Sequence, residues 1–223
     1  LTFYTSEKAQ TPTATIAGEN ASEANASGDQ LSWTATKTMD TEDGNGTVAF
    51  TIDFFDLAGN QGTQATAILS GSNVTFDKTV PGTNSITVAS SNGTSTLAKN
   101  GDVIPVTVVA DEDLQTNDAL SPYGIASASI AGQSISGGNI SSTSATNWEI
   151  SYTMNGEESD GSASYAFTMA DATGNTTDIS SAGSAVTIDN TKPTLTLVSL
   201  ASNNTDASYA KQGDVITLTI TSD

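Results

Sequence analysis

Apolar and polar residues alternate with a period of two along most of this chain. Pro193-Thr-Leu-Thr-Leu-Val198 and Asp214-Val-Ile-Thr-Leu-Thr-Ile220 are the cleanest examples, and the pattern is that of strands with one face buried and one face wet. The same reading predicts strands at Ala14-Thr-Ile16, Trp33-Thr-Ala-Thr36, the long run Thr47–Phe55, and Asn73-Val-Thr-Phe76. Gly, Asn, Asp and Ser separate these runs, as turns require. No segment carries a 3.6-residue apolar period between caps, so helices are expected to be absent or short. No run of 18 apolar residues exists, which excludes a membrane-spanning helix on the sequence alone.

The pattern repeats. Leu97-Ala-Lys-Asn-Gly-Asp-Val-Ile104 returns 112 residues later as Tyr209-Ala-Lys-Gln-Gly-Asp-Val-Ile216. Val74-Thr-Phe-Asp-Lys-Thr-Val-Pro81 returns at the same interval as Val186-Thr-Ile-Asp-Asn-Thr-Lys-Pro193. Asp56-Leu-Ala-Gly-Asn60 matches Asp171-Ala-Thr-Gly-Asn175, Ile16-Ala-Gly18 matches Ile130-Ala-Gly132, and Trp33 and Met39 match Trp148 and Met154. Blocks recurring in one order define tandem units rather than composition bias. Leu1-Thr-Phe3 aligns with Val106-Thr-Val108 and with Leu218-Thr-Ile220. The expected division is therefore 1–79 for a first repeat lacking its first strand and the start of its second, 80–191 for a complete second repeat, and 192–223 for the opening strands of a third. Ends that fall inside strands suggest an excerpt of a longer array. The rarer reading is strand donation, with residues 193–223 of one molecule completing the first sheet of the next.

About seven short strands per period, spaced by turn residues, indicate an antiparallel sandwich of immunoglobulin type. The expected fold is thus all-β: tandem immunoglobulin-like antiparallel β-sandwiches of about seven strands each, arranged end to end, with Trp33 and Trp148 in their cores. The motifs Asp-x-Ala-Gly-Asn, Val-Thr-Phe-Asp-Lys-Thr-x-Pro and Ala-Lys-x-Gly-Asp-Val-Ile resemble those of bacterial immunoglobulin-like repeats found as tandem arrays in large surface adhesins. The second period departs in detail, with Thr173 where the first has Ala58 and a longer loop from Asp113 to Pro122. The resemblance implies a spacer or stalk, often with calcium at domain junctions.

Composition narrows the chemistry. The 223 residues hold 25 Asp and Glu against 6 Lys and Arg, for a net charge of −19, with no His and no Cys. No imidazole base, thiolate nucleophile, catalytic triad or His/Cys zinc site can be assembled. Disulfides are excluded too. So acidic a chain repels nucleic acid phosphates but suits divalent cations. Paired carboxylates could also serve glycoside hydrolysis, but nothing supplies the aromatic platform or cleft. A non-catalytic protein is expected, exported to the outside of a bacterial cell, with no nucleic acid partner and no direct membrane insertion. Its expected partners are neighbouring immunoglobulin-like repeats of the same chain or filament. The alternative function is a filament or surface-layer subunit that assembles head to tail.

The acids cluster where topology should gather loops. If Asp214–Ile220 is the second strand of a sandwich, the loop after it lies at the same pole as the Asp-x-x-Gly-Asn turn and the incoming linker. In the second period that places Asp77 of the linker, Asp111, Glu112 and Asp113 of the loop, and Asp171 with Asn175 of the turn at one junction. Ca²⁺, with six to eight oxygen ligands, is the ion such a set would take. Glu7, Asp56 and Asn60 form the first-period equivalent, and Asp189 with Asp223 would begin the next. The competing structural reading gives Asp56 and Asp171 to tight turns with positive φ at Gly59 and Gly174, and Asp102 and Asp214 to turns before strands. The runs Asp40–Gly44 and Glu157–Asp160 read as solvated turns.

Overall fold

The structure, a computed structural model, describes residues 1–116 and 124–222. Among them the chain is almost wholly β, with a single 3-10 turn at Gly137–Asn139 and no α-helix. No helix of the described residues is long and apolar enough to cross a membrane. The chain divides into two compact units, one of residues 1–82, 111–126 and 169–177, the other of residues 83–110, 127–168 and 178–223.

In the first unit β1 (Thr2–Tyr4), β2 (Thr13–Ile16), β3 (Glu19–Asn20), β4 (Ser22–Asn25), β5 (Ser32–Thr36), β6 (Gly46–Thr47), β7 (Phe50–Asp53) and β8 (Thr75–Phe76) form small antiparallel sheets ordered β1-β5-β4, β3-β2-β7 and β6-β8. Their apolar faces meet at Ala14, Ala35 and Ile52, with Phe3, Ile16, Phe50 and Phe54 partly buried around them. Trp33 is buried, its indole N–H without a hydrogen-bond partner among the described residues.

The second unit opens with β9 (Thr83–Val88), β10 (Leu97–Ala98) and β11 (Val103–Ala110). Then follow β12 (Ile125–Ile130), which begins in the first unit, β13 (Gln133–Ser134), β14 (Ile140–Ser142), β15 (Asn147–Thr153), β16 (Gly161–Ser162), β17 (Tyr165–Ala170) and β18 (Thr176–Ser181). After β19 (Thr187–Ile188) comes a hairpin of β20 (Leu195–Ser202) and β21 (Ile216–Ser222). Two four-stranded sheets dominate, ordered β14-β15-β11-β9 and β13-β12-β17-β18. The sequence alternation is realised in β11, where Ile104, Val106, Val108 and Ala110 are buried on one face, and in β15, where Trp148 and Ile150 are. The Trp148 indole N–H donates to the Ala145 carbonyl at 2.9 Å.

Two expectations need correction. The run Thr47–Phe55 is not one strand: β6 pairs with β8 and β7 with β2, because the chain changes partner at Val48 and Ala49. There the Val48 N–H donates to Val74 and the Ala49 carbonyl accepts from Ala17. The second period does the same between β16 and β17. Pairing is also not uniformly antiparallel, since the two-residue strands β10 and β19 run parallel. They are joined through a long connection, which parallel neighbours require.

Period identity extends to backbone detail. Ala17-Gly18 and Ala131-Gly132 all have positive φ, at 53°, 84°, 52° and 78°, as a two-residue hairpin turn of type I′ demands. Asp102 accepts from the Lys99 N–H and the Asn92 amide, and Asp214 from the Lys211 N–H and the Asn204 amide. The structural reading of these two acids is the one observed.

Candidate metal centre

Asp171 sits at the end of β17, where an isolated bridge to Leu114 brings the loop after β11 alongside the turn. The first period has the same device in the bridge of Ala9 to Asp56. One Asp171 oxygen, Oδ1, accepts from the backbone N–H groups of Thr173, Gly174 and Asn175 and from the Thr173 hydroxyl, at 2.7–2.9 Å. Gly174 takes φ 95° to close this turn, a conformation that costs side-chain-bearing residues about 1 kcal/mol or more. The Asn175 amide donates at 2.8 Å to Asp171 Oδ2 and at 3.1 Å to the Asp77 carbonyl. Asn175 therefore ties the linker backbone to the turn. With its nitrogen so engaged Asn175 places Asp77 beside the turn, and Oδ1 is the atom it would offer a cation.

Asp77, Glu112 and Asp171 each offer one carboxylate oxygen such that all three lie within 4.8 Å of one another. All three residues belong to the first unit. Ligands on a Ca²⁺ coordination sphere of about 2.4 Å radius are at most about 4.8 Å apart, so the spacing fits one ion. Asp77 Oδ1 accepts the Thr79 N–H at 2.9 Å, which orients its carboxylate. No hydrogen bond among the described residues reaches the half-buried carboxylate of Glu112. Burial pushes its proton affinity up, and the negative charges of Asp77, Asp171, Asp111 and Asp113 push it further in the same direction. Asp171 is buried as well, which opposes ionisation, yet the hydrogen bonds from Asn175 and Thr173 outweigh that and hold it below the usual carboxylate value.

The other residues expected at this junction take different places. Asp111 turns its Oδ1 to the Gly82 N–H at 2.7 Å. A Cβ on Gly82 would lie 2.5 Å from Asp111 Oδ2, so a side chain there would displace the Asp111 carboxylate. Asp113 is exposed. In the first period Glu7, Asp56 and Asn60 line one cavity, with Asn60 donating to Asp56 from both its N–H and its amide. No third carboxylate joins them among the described residues. Asp189 is exposed and accepts the Thr191 N–H, and Asp223 lies outside the described residues.

Sequence reasoning passed over Asn45 and Lys78. Asn45 accepts the Lys78 N–H at 3.0 Å and donates to the Thr79 hydroxyl at 2.5 Å, which straps the linker beside Asp77. Lys78 Nζ donates to the carbonyls of Thr41 and Asp43 at 2.6 and 2.7 Å. The acidic runs are not simply solvated. Asp43 is buried and ion-paired with Lys37, which also meets Glu19 at 3.3 Å. Its second-period counterpart Glu158 is buried too, accepting the Tyr152 hydroxyl and two backbone N–H groups. Burial, reinforced by that carboxylate, pushes the Tyr152 phenol up to about 12. The signal for these roles was the repeated spacing of an acid six residues after Lys37 and Tyr152.

Comparison with protein-family models, curated proteins and solved structures finds no match, so function has to be read from the residues themselves.

Proposed function

We propose that this chain is a non-catalytic spacer made of immunoglobulin-like repeats, carried on a bacterial cell-surface adhesin, with Ca²⁺ bound at Asp77, Glu112 and Asp171. The observation that carries this reading is the meeting of the Asp77, Glu112 and Asp171 carboxylates within 4.8 Å of one another, with Glu112 receiving no hydrogen bond among the described residues. A divalent cation would cancel the repulsion that these groups otherwise suffer. The donor set is all oxygen, which suits a hard ion, and backbone carbonyls and water would complete six to eight ligands. The repeat supports the spacer role, since each unit of a tandem array meets mainly its neighbours and reach grows with their number. The lack of His and Cys supports a non-catalytic role.

The ion would join the linker that follows the first repeat to two loops of the second, and so limit motion of that linker. Small-angle scattering with and without a chelator tests it. The expected outcome is a broader, more flexible distribution of dimensions after chelation, reversed by added Ca²⁺. Identical profiles in the two conditions would defeat the stiffening role.

A further inference from the structure

A chain pulled at both ends loads the strands through which it enters and leaves each repeat. The second repeat is left through β19, which lies between β10 on one side and β16 on the other. Strand β10 precedes most of the repeat, β19 closes it, and the two run parallel. Pulling the amino-terminal side of β10 away from the carboxyl-terminal side of β19 therefore slides the two strands along their common axis. Their hydrogen bonds share that load together, among them Thr187 N–H to the Thr96 carbonyl at 2.8 Å and Asp189 N–H to the Ala98 carbonyl at 2.9 Å. An antiparallel pair pulled by the same ends would open one bond at a time. Strand β9 is the edge of a different sheet, so its detachment leaves this pair in place.

Two residues make a short ladder, and side chains lengthen it at the exit. Asp160, just before β16, accepts the Asn190 N–H on Oδ1 at 2.7 Å and the Thr191 hydroxyl on Oδ2 at 2.6 Å. The Asn190 N–H, helped by the Thr191 hydroxyl, holds the Asp160 carboxyl below its ordinary value. The Asn190 amide donates to the Glu158 carbonyl at 3.1 Å, and its Oδ1 accepts the Asn100 N–H at 2.9 Å. The first repeat holds its own exit with other residue types. Asn45 stands in the place of Asp160, accepting the Lys78 N–H and donating to the Thr79 hydroxyl. The Lys78 ammonium reaches the Asp43 carbonyl as the Asn190 amide reaches that of Glu158. The bonds recur while the residues change, so the period keeps the clasp rather than the side chains.

We propose that this clasp, formed by Asp160 on Asn190 and Thr191 beside the parallel pair β10–β19, is the load-bearing element of the second repeat. The proposal rests on the spacer reading, because a tether is pulled at its ends. It is independent of the cation, since Asp77, Glu112 and Asp171 take no part in it.

An optical trap holding the full 223-residue chain by its two ends tests this. Unfolding of the repeat at 80–191 is recognised by the length it releases, at roughly 3.5 Å per residue. Asp160→Ala, which loses two hydrogen bonds, is expected to raise the unfolding rate of that repeat at constant force by about tenfold or more. Asp160→Asn is expected to keep the parent rate, because Asn45 shows that an amide makes both contacts. Asp178→Ala loses a hydrogen bond from Thr168 on the edge strand β18, away from the loaded strands, and is expected to keep the parent rate too. The Asp160→Ala effect is expected equally in Ca²⁺ and in chelator. A parent-like rate for Asp160→Ala overturns the proposal. So does an equal acceleration by Asp178→Ala, which would mean general destabilisation, or an Asp160→Asn chain as fast as Asp160→Ala. A chelator that leaves the flexibility of the parent chain unchanged counts against the calcium reading alone.

Discussion

Glu112 and Asp171 lie within reach of one ion but carry opposite shifts, and their pH dependences differ in sign. Glu112, whose proton affinity is raised in the folded state, contributes stability that is complete below its ordinary value of 4.5 and is lost as pH rises through the raised one. Asp171, held low, contributes stability above its ordinary value of 3.8 that is lost as pH falls. In chelator at pH 7, Glu112→Gln should therefore be more stable than the parent chain. That advantage should shrink as pH falls through the raised Glu112 value, and with Ca²⁺ in excess it should invert, because the variant loses a ligand. Thermal melts across pH in the two conditions check this. A second contrast involves the two tryptophans. Trp148→Phe removes a buried hydrogen bond to Ala145 and Trp33→Phe removes none, so denaturant titration should find the former costlier by about 1 kcal/mol beyond any difference in packing. At this scale Asp171 and Asn175 were legible because their motif recurs. The diversion of Asp111 to Gly82 was not, since it depends on a close backbone approach that no spacing encodes.

Among the elements, period-two alternation located most strands, and β11 and β15 carry the buried faces it implies. It failed where the chain changes partners, because apolar and polar positions keep alternating through Val48 and Ala49 while the backbone hydrogen bonds pass from β8 to β2. Alternation is also blind to whether a face finds its cover. Ile104 and Ile216 occupy the same position of the period, yet one is 0 % and the other 51 % exposed. Ile104→Ala should destabilise by about 2–5 kcal/mol through the cavity it leaves. Ile216→Ala should change stability by less than about 0.5 kcal/mol. Equal costs would mean that the hairpin is covered in the free chain.

For the whole molecule, the repeat and the all-β character were both readable in advance, the first from ordered blocks and the second from turn chemistry and the lack of helical periodicity. Convergence of Asp77, Glu112 and Asp171 could be anticipated only through the topology that places a linker, a loop and a turn at one pole. Of the six nearby candidates, Asp111 turns instead to the Gly82 N–H and Asp113 to solvent. Calcium titration by isothermal calorimetry on chelator-stripped chain tests the central claim most directly. One site per chain is expected to bind more tightly than any at Glu7 and Asp56, weakened on the order of tenfold or more by Asp77→Asn or Asp171→Asn. No binding heat, or binding that ignores both substitutions, would contradict the account.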